Sequence, residues 1–250
     1  MSTYWRNGLA LHYEITGAGP AVLCVHGATG TGADEWSKLA GELEGRYRFV
    51  IPDLRGHGNS DYQAGEMSIE AVNEDLLELI AHERLGPPHV LAFSFGSEAA
   101  LDLELTHPGT AASLILLSPG LGDPKSSVPT RSQLESGWPD RLRALHAERH
   151  GEDHWLEVML ELCDRAAVRP KADLGAIGRM GCPVLLVVGS DDDPRRIRQA
   201  EVMRDAHRLT ELVVIQGGRH AVHKDHRAGV VAAIGDFLDR QTKLAARADV

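Results

Sequence analysis

Six short apolar runs, "AVLCVH", "RFVIPD", "HVLAFS", "SLILLSP", "PVLLVVG" and "ELVVIQG", punctuate this chain. Stretches of helical periodicity separate most of them. A strand with one face in water alternates apolar and polar residues, whereas these runs are apolar almost throughout. That is the pattern of strands covered on both faces by helices, and it predicts an α/β fold built on a mostly parallel sheet.

The helical stretches carry their own punctuation. In "SIEAVNEDLLELIAHERLG", Ile69, Val72, Leu76, Leu79 and Ile80 recur on one helical face, with Ser68 as the expected N-cap and Gly86 as the expected stop. A second amphipathic stretch runs from about Glu35 to Leu43, and others occupy "EAALDLELTH", "RRIRQAEVMRDAH" and "GVVAAIGDFLDRQ". Near the start, "RNG" supplies turn residues between two short extended runs, the pattern of a hairpin. The strand-helix order breaks once. Residues 122–181 contain no strand pattern, only helical ones around "RLRALHAERH" and "DHWLEVMLELCDRA" and a short loop, "GDPKSSVPT". They read as a helical insertion into a core domain of residues 1–121 and 182–250.

With 250 residues, the chain is long enough to bury a sizeable core. Its formal charge of -10, with acids and bases interspersed, offers no basic stripe for nucleic acid or an anionic membrane. No run of about eighteen apolar residues occurs, and the N-terminal stretch lacks the basic and apolar regions of a secretory signal. The expected address is cytoplasmic, the expected partner a small-molecule substrate, and oligomeric state is unreadable. Cys24, Cys163 and Cys182 read as reduced structural thiols.

Chemistry enters at "VLAFSFGSEAA", residues 90–100, where a strand meets Ser94 and a helix follows at once. A serine forced to positive φ at such a turn needs small residues two before and two after it. Gly96 meets that need, and Ala92, where glycine is usual, adds one methyl. "VLCVHGATG" ends an earlier strand with His-Gly. The backbone N–H of Ala28, with that of Phe95 after the serine, would make a two-donor site for a developing oxyanion.

The segments "HGATG", "DLRGHGNSD" and "AFSFG", in that order and spacing, resemble the α/β-hydrolase superfamily. The resemblance covers nearly the whole chain and implies an eight-stranded, mostly parallel sheet flanked by helices, with the insertion as a small helical cap. It also implies an acid after the next-to-last strand and a histidine after the last. "VLLVVGSDDDP" offers Asp191, Asp192 and Asp193, and the G-x-x-D spacing from Gly189 selects Asp192, a one-residue slip to either neighbour remaining open. "VVIQGGRHAVH" offers His220 at the G-x-x-H position, with His223 as a decoy. The order Ser, Asp, His matches that of the family.

Serine is a poor nucleophile until a base takes its proton, histidine titrates near working pH, and an aspartate fixes the imidazole tautomer. The expected activity is that of a serine esterase or lactonase, a carboxylic ester hydrolase acting on a small to medium apolar molecule without metal or cofactor. Hydrolysis of a carbon-carbon bond in a vinylogous diketone, or ligand binding or signalling on a hydrolase scaffold with little turnover, are the alternatives. A carboxylate nucleophile is missing, which argues against haloalkane dehalogenase and epoxide hydrolase chemistry.

Other residues admit plainer readings. His26 would hold the oxyanion loop by hydrogen bonds, and Asp53, Arg55 and His57 would organise the loop beside it. Gly27 and Gly32 have P-loop spacing, but Ala33 and Asp34 follow where that motif needs Lys and Ser or Thr. His146, His150 and His154, four apart, have ligand spacing on a helix but no clear acidic or thiol partner, and read as a solvated face of the insertion. Trp138, Trp155, Met159 and Leu160 are candidates to line a substrate pocket over Ser94, although helical spacing fits core packing equally well.

Overall fold

A computed structural model describes residues 2–121, 131–137 and 139–248. Its strands are β1 (Ser2–Arg6), β2 (Leu9–Gly17), β3 (Ala21–Val25), β4 (Arg48–Pro52), β5 (His89–Phe93), β6 (Ser113–Leu117), β7 (Val184–Gly189) and β8 (Thr210–Ile215). They form one eight-stranded sheet in the order β1-β2-β4-β3-β5-β6-β7-β8. β2 runs antiparallel to both its neighbours, and every other pair is parallel. The expected hairpin joins β1 to β2 through Asn7 and Gly8, at φ 50° and 85°. Two left-handed residues in succession make the turn whose twist matches that of the flanking strands.

Helices cover both faces of the sheet, as the apolar runs require, except at the edge strand β8, where none of the six residues is buried. α1 (Gly32–Leu43), α2 (Ile69–His82) and α3 (Phe95–Thr106) follow β3, β4 and β5. Between β6 and β7 lie α4 (Arg131–Gly137), α5 (Pro139–His150), α6 (His154–Val168) and α7 (Leu174–Gly178), with no strand among the described residues there. α8 (Pro194–Ala206), the short α9 (Val222–Asp225) and α10 (Arg227–Ala248) complete the chain. All five residues of β5 are buried. Val90 and Ala92 enter one apolar core, and Leu91 and Phe93 enter the other across the sheet. Leu142, Trp155, Val158 and Leu162 of the inserted helices join the same core as Val90. The insertion therefore seats on the sheet domain through apolar burial.

Helix boundaries differ from expectation where capping decides them. α1 begins three residues before Glu35, because Thr31 Oγ1 accepts the Asp34 N–H at 3.2 Å and caps it. α3 begins at Phe95, directly after the turn, and α10 extends to Ala248. In α2, Ser68 Oγ accepts the Ala71 N–H at 3.1 Å, as its position predicts. The stop comes before Gly86. Leu85 N–H donates to Ile80 O at 3.0 Å and Arg84 N–H to Ala81 O at 3.2 Å, a Schellman closure with Arg84 in the left-handed position at φ 52°.

An L side chain there costs about 1–2 kcal/mol, part of which glycine would return through a freer unfolded chain. Arg84→Gly is expected to stabilise the protein by about 0.5–1 kcal/mol and raise Tm by about 1–4 °C. A melting curve unchanged or shifted downward would contradict this account of the cap.

Candidate active site

The site is assembled at the carboxyl ends of the parallel strands. β5 delivers Ser94 at φ 51° and ψ −116°, a conformation L residues avoid, and α3 starts on the next residue. The turn is held from three sides. Ser94 N–H donates to Leu117 O of β6 at 3.0 Å, and Ser97 Oγ lies 2.9 Å from Ala92 O and 3.1 Å from Leu117 O, its one proton shared between them. The need for glycine at position 96 is steric. A Cβ there would lie 2.5 Å from Val25 O and 2.6 Å from His26 O, so only a residue without one lets α3 close on the end of β3. Ala92 is fully buried in the core, and its methyl is accommodated.

The chain returns to this point twice. After β8, His220 directs Nε2 at Ser94 Oγ, 3.0 Å away, and its Nδ1 lies 3.3 and 3.4 Å from the two carboxylate oxygens of Asp192, which follows β7. The Asp192 side chain is 2% exposed and that of His220 42%. Burial pushes the Asp192 carboxyl up, but hydrogen bonding and charge from His220 and the Asp193 N–H outweigh it, and the group sits below the ordinary carboxylate range. Asp191 is exposed and accepts from Ser190 Oγ at 2.8 Å, while Asp193 accepts the Arg195 N–H at 2.9 Å and caps α8. Of the three adjacent aspartates, Asp192 is the one facing the imidazole.

His220 is steadied by a residue that sequence reasoning missed. Ser118, at the end of β6 with φ 45°, is fully buried and donates through Oγ to His220 O at 2.8 Å. Its only sequence signal is a polar residue at the carboxyl end of a buried strand. His223 points away from Ser94 and bonds Glu35 Oε1 at 2.7 Å.

The segment carrying Ala28 is organised by His26. Its Nδ1 lies 2.7 Å from Gly27 O and its Nε2 accepts the Leu54 N–H at 2.9 Å, which requires the neutral tautomer with the proton on Nδ1. Burial lowers its pKa, so the neutral form is the working one. The carbonyl of Gly27 and the N–H of Ala28 belong to one peptide plane and point in opposite directions. Fixing the first therefore aims the second. Phe95 occupies the first position of α3, where an N–H has no intrahelical acceptor.

The neighbouring loop is built as expected. Asp53 accepts from Gly32 N–H at 2.8 Å, Asn59 N–H at 2.9 Å and His12 Nδ1 at 3.0 Å. Burial raises this carboxyl, but those donors more than offset it and hold it at about 2. Arg55 forks onto Asp75 of α2 with two 2.7 Å bonds. His57 spans Arg55 O at 3.0 Å and Ala28 O at 2.9 Å.

The inserted helices lean on this loop, and here the expectation for their histidines is corrected. His146 and His154 are buried rather than solvated, and His150 is half-buried. His146 Nδ1 accepts the Gly58 N–H at 3.1 Å, His154 Nε2 donates to Gly56 O at 3.0 Å, and His150 stacks on His154 with centroids 4.2 Å apart. Their polar atoms serve a glycine-rich loop whose backbone needs partners. Among the described residues, no group of three or more His, Cys, Asp or Glu side chains is arranged to hold a metal ion. Trp155 and Met159 line a narrow cavity of about 10 Å³ that Ala28 also lines, whereas Leu160 does not reach it. Trp138 and the loop of residues 122–130 lie outside the described residues.

Such an arrangement can deprotonate a hydroxyl, stabilise the resulting imidazolium through a buried carboxylate, and offer backbone donors to a developing negative oxygen. Among known proteins, a family model described as "Alpha/beta hydrolase family" matches residues 22–233. The chain is 35% identical over 103 residues to an uncharacterized hydrolase, YraK, of Bacillus subtilis, covering 40% of this chain and 38% of that protein. It is 35% identical over 131 residues to a pimeloyl-[acyl-carrier protein] methyl ester esterase of Methylococcus capsulatus, 52% of this chain and 46% of that one. The chain thus spans less than half the length of either curated relative. A solved thermophilic esterase from Thermogutta terrifontis superposes with a TM-score of 0.77 at 23% identity, covering 96% of this chain and 97% of the other, which establishes likeness of fold.

Proposed function

The chain belongs to the alpha/beta hydrolase family, and from that premise we propose that it is a serine hydrolase cleaving a carboxylic ester, lactone or related acyl bond of a small to medium apolar molecule. Ser94 is the nucleophile, His220 the general base and acid, and Asp192 the residue that orients and stabilises the imidazolium. The backbone N–H groups of Ala28 and Phe95 receive the oxyanion. The observation that carries this reading is the 3.0 Å approach of His220 Nε2 to Ser94 Oγ, with Asp192 on the other ring nitrogen.

In the reaction, His220 takes the hydroxyl proton as Ser94 Oγ attacks the acyl carbon. The collapse of the tetrahedral species expels the leaving group, protonated by His220. Water then repeats the sequence on the acyl-enzyme and releases the acid. Residues 122–181 act as a cap over the site, with Trp155 and Met159 contributing to the pocket beside Ala28. The free, buried Cys24, Cys163 and Cys182 fit a reducing, cytoplasmic setting. No helix among the described residues is long and apolar enough to cross a membrane.

Stoichiometric labelling by a fluorophosphonate probe, abolished in Ser94→Ala, is the expected result. A folded wild-type protein that takes up no label would sink the hydrolytic reading and leave ligand binding in its place. Matched assays on short p-nitrophenyl esters and on ring-opened vinylogous diketones then identify the bond that is cut.

A further inference from the structure

Three residues beyond His220 lies a second buried acid-histidine pair that the proposed mechanism leaves idle. Glu35, in the first turn of α1, and His223, in α9, meet at 2.7 Å with side chains 3% and 1% exposed. Lys224 Nζ joins them, 2.8 Å from Glu35 Oε1 and 2.8 Å from Asp34 Oδ2. Burial raises the Glu35 carboxyl, but the hydrogen bond and charge of His223 and the ammonium of Lys224 outweigh it and bring it down to about 2. Glu35 is thus an anion, and His223 Nε2 must donate to it.

The position of the pair gives it consequence. α1 is entered from the segment that carries Ala28, and Glu35 N–H donates back to Thr31 O at 3.1 Å. Glu35 also fills the space under that segment, since a Cβ on Gly30 would lie 2.6 Å from Glu35 Oε2. α9 follows His220 directly. Between the two stands Phe93, the residue before Ser94. Its ring lies 5.0 Å from the His220 ring and 4.6 Å from that of His223, and a Cβ on Gly27 would lie 2.8 Å from its edge. Trp36 stacks on the far side of His223, with centroids 5.2 Å apart.

We propose that Glu35 and His223 are positioning residues which bolt the base-bearing loop after β8 to the oxyanion-binding segment after β3, fixing His220 and the Ala28 N–H relative to each other. The inference rests on the serine-hydrolase reading of the same site. Neither residue touches substrate. A buried charged hydrogen bond is short and directional, and a misplacement of about 1 Å in such a site costs about 10²-fold in rate. Loss of the pair therefore slows the chemical step while leaving substrate binding intact.

The test compares His223→Phe, which keeps a ring between Phe93 and Trp36 but has no donor, with His223→Gln, whose side-chain amide restores one. On a short p-nitrophenyl ester, His223→Phe should lose about 10–100-fold in kcat with KM within about twofold. Fluorophosphonate labelling of Ser94 should slow in parallel, and His223→Gln should recover most of both. A folded His223→Phe with wild-type kcat, or a His223→Gln equally impaired, overturns the proposal, since packing alone would then explain the site. If His223→Phe does not fold, Glu35→Gln takes its place, keeping an acceptor but weakening the bolt. Unchanged kcat and labelling there would overturn the proposal as well. Absence of label on the wild-type protein removes the underlying hydrolase reading too, whereas normal labelling with indifferent variants removes only this inference.

Discussion

Asp192→Asn should leave a folded protein whose kcat on any ester substrate is lower by about 10⁴-fold, with a much smaller change in KM. The carboxylate is ionised and 2% exposed, and it faces His220 Nδ1, so it dictates which imidazole nitrogen carries the proton. Asparagine fits the same space but carries an amide that can present N–H to the imidazole. That stabilises the tautomer with its proton on Nε2, where it cannot take one from Ser94. The imidazolium formed in the transition state also loses its counter-charge. Asp191→Asn, on an exposed side chain bonded to Ser190, should retain activity within about threefold. Steady-state kinetics on the two variants, with circular dichroism as the control for folding, make the comparison; equal losses would remove Asp192 from its assigned role.

A second large effect is expected from acid. His57 touches His26 at 5.0 Å and His146 at 5.3 Å between ring centroids, in a column joining the segment that carries Ala28 to α5. Burial, then the neighbouring histidines, bring His57 down to about 4 and His146 to about 3. His150, half-buried beside His154 and Arg149, comes down to about 4. Asp53 and Asp61 face the column from the loop and only partly offset this. The unfolded chain takes up these protons near pH 6.5 and the folded one does not, so stability is present in full above about pH 6.5 and drains as pH falls toward 4 and 3. His146, whose Nδ1 must stay unprotonated to accept the Gly58 N–H, would withdraw on the order of several kcal/mol by the end of that window, a sizeable part of the whole stability of a typical domain, about 5–15 kcal/mol. Acid unfolding should therefore begin near pH 5, before Asp53 and Glu35, both held at about 2, are protonated. His146→Asn retains an acceptor for the Gly58 N–H and cannot charge, and should move the acid midpoint downward by a measurable fraction of a pH unit. A midpoint common to both proteins in pH-jump fluorescence would show that the column does not govern acid stability.

What the sequence made legible follows a physical rule: features set by near neighbours could be read, and features set by distant ones could not. Strands β3, β5, β6 and β7 are apolar along their length because both faces are covered, and each run announced itself. Asn7-Gly8 specifies its own turn, and Ser94 was readable because strand, small residue and helix follow one another within a few positions. The spacing rule selected Asp192 from three identical neighbours, and Asp192 is the one that lies beside His220 Nδ1. By contrast, the helical spacing of His146, His150 and His154 defines one face of a helix without revealing what covers it. A glycine-rich loop almost a hundred residues away does so. The pairing of Glu35 with His223 spans 188 residues, and no local pattern encodes it. Ser118 escaped because its partner is a backbone oxygen contributed from the far end of the chain. Arg84 took the helix-ending position for which Gly86 had been expected, since the closure depends on hydrogen-bond geometry within one turn rather than on the nearest glycine.

The neutral His26 ring, anchored to Leu54 and gripping the Gly27 carbonyl, means that the amide of residue 28 acquires its direction during folding, not on arrival of a reactant. On the proposed reading, environments of this kind have already met the cost of orienting their dipoles, so charge appearing on an incoming carbonyl would encounter a field in place and need not wait for solvent or chain to turn. On that reading the site is, in this respect, electrically finished before any substrate arrives.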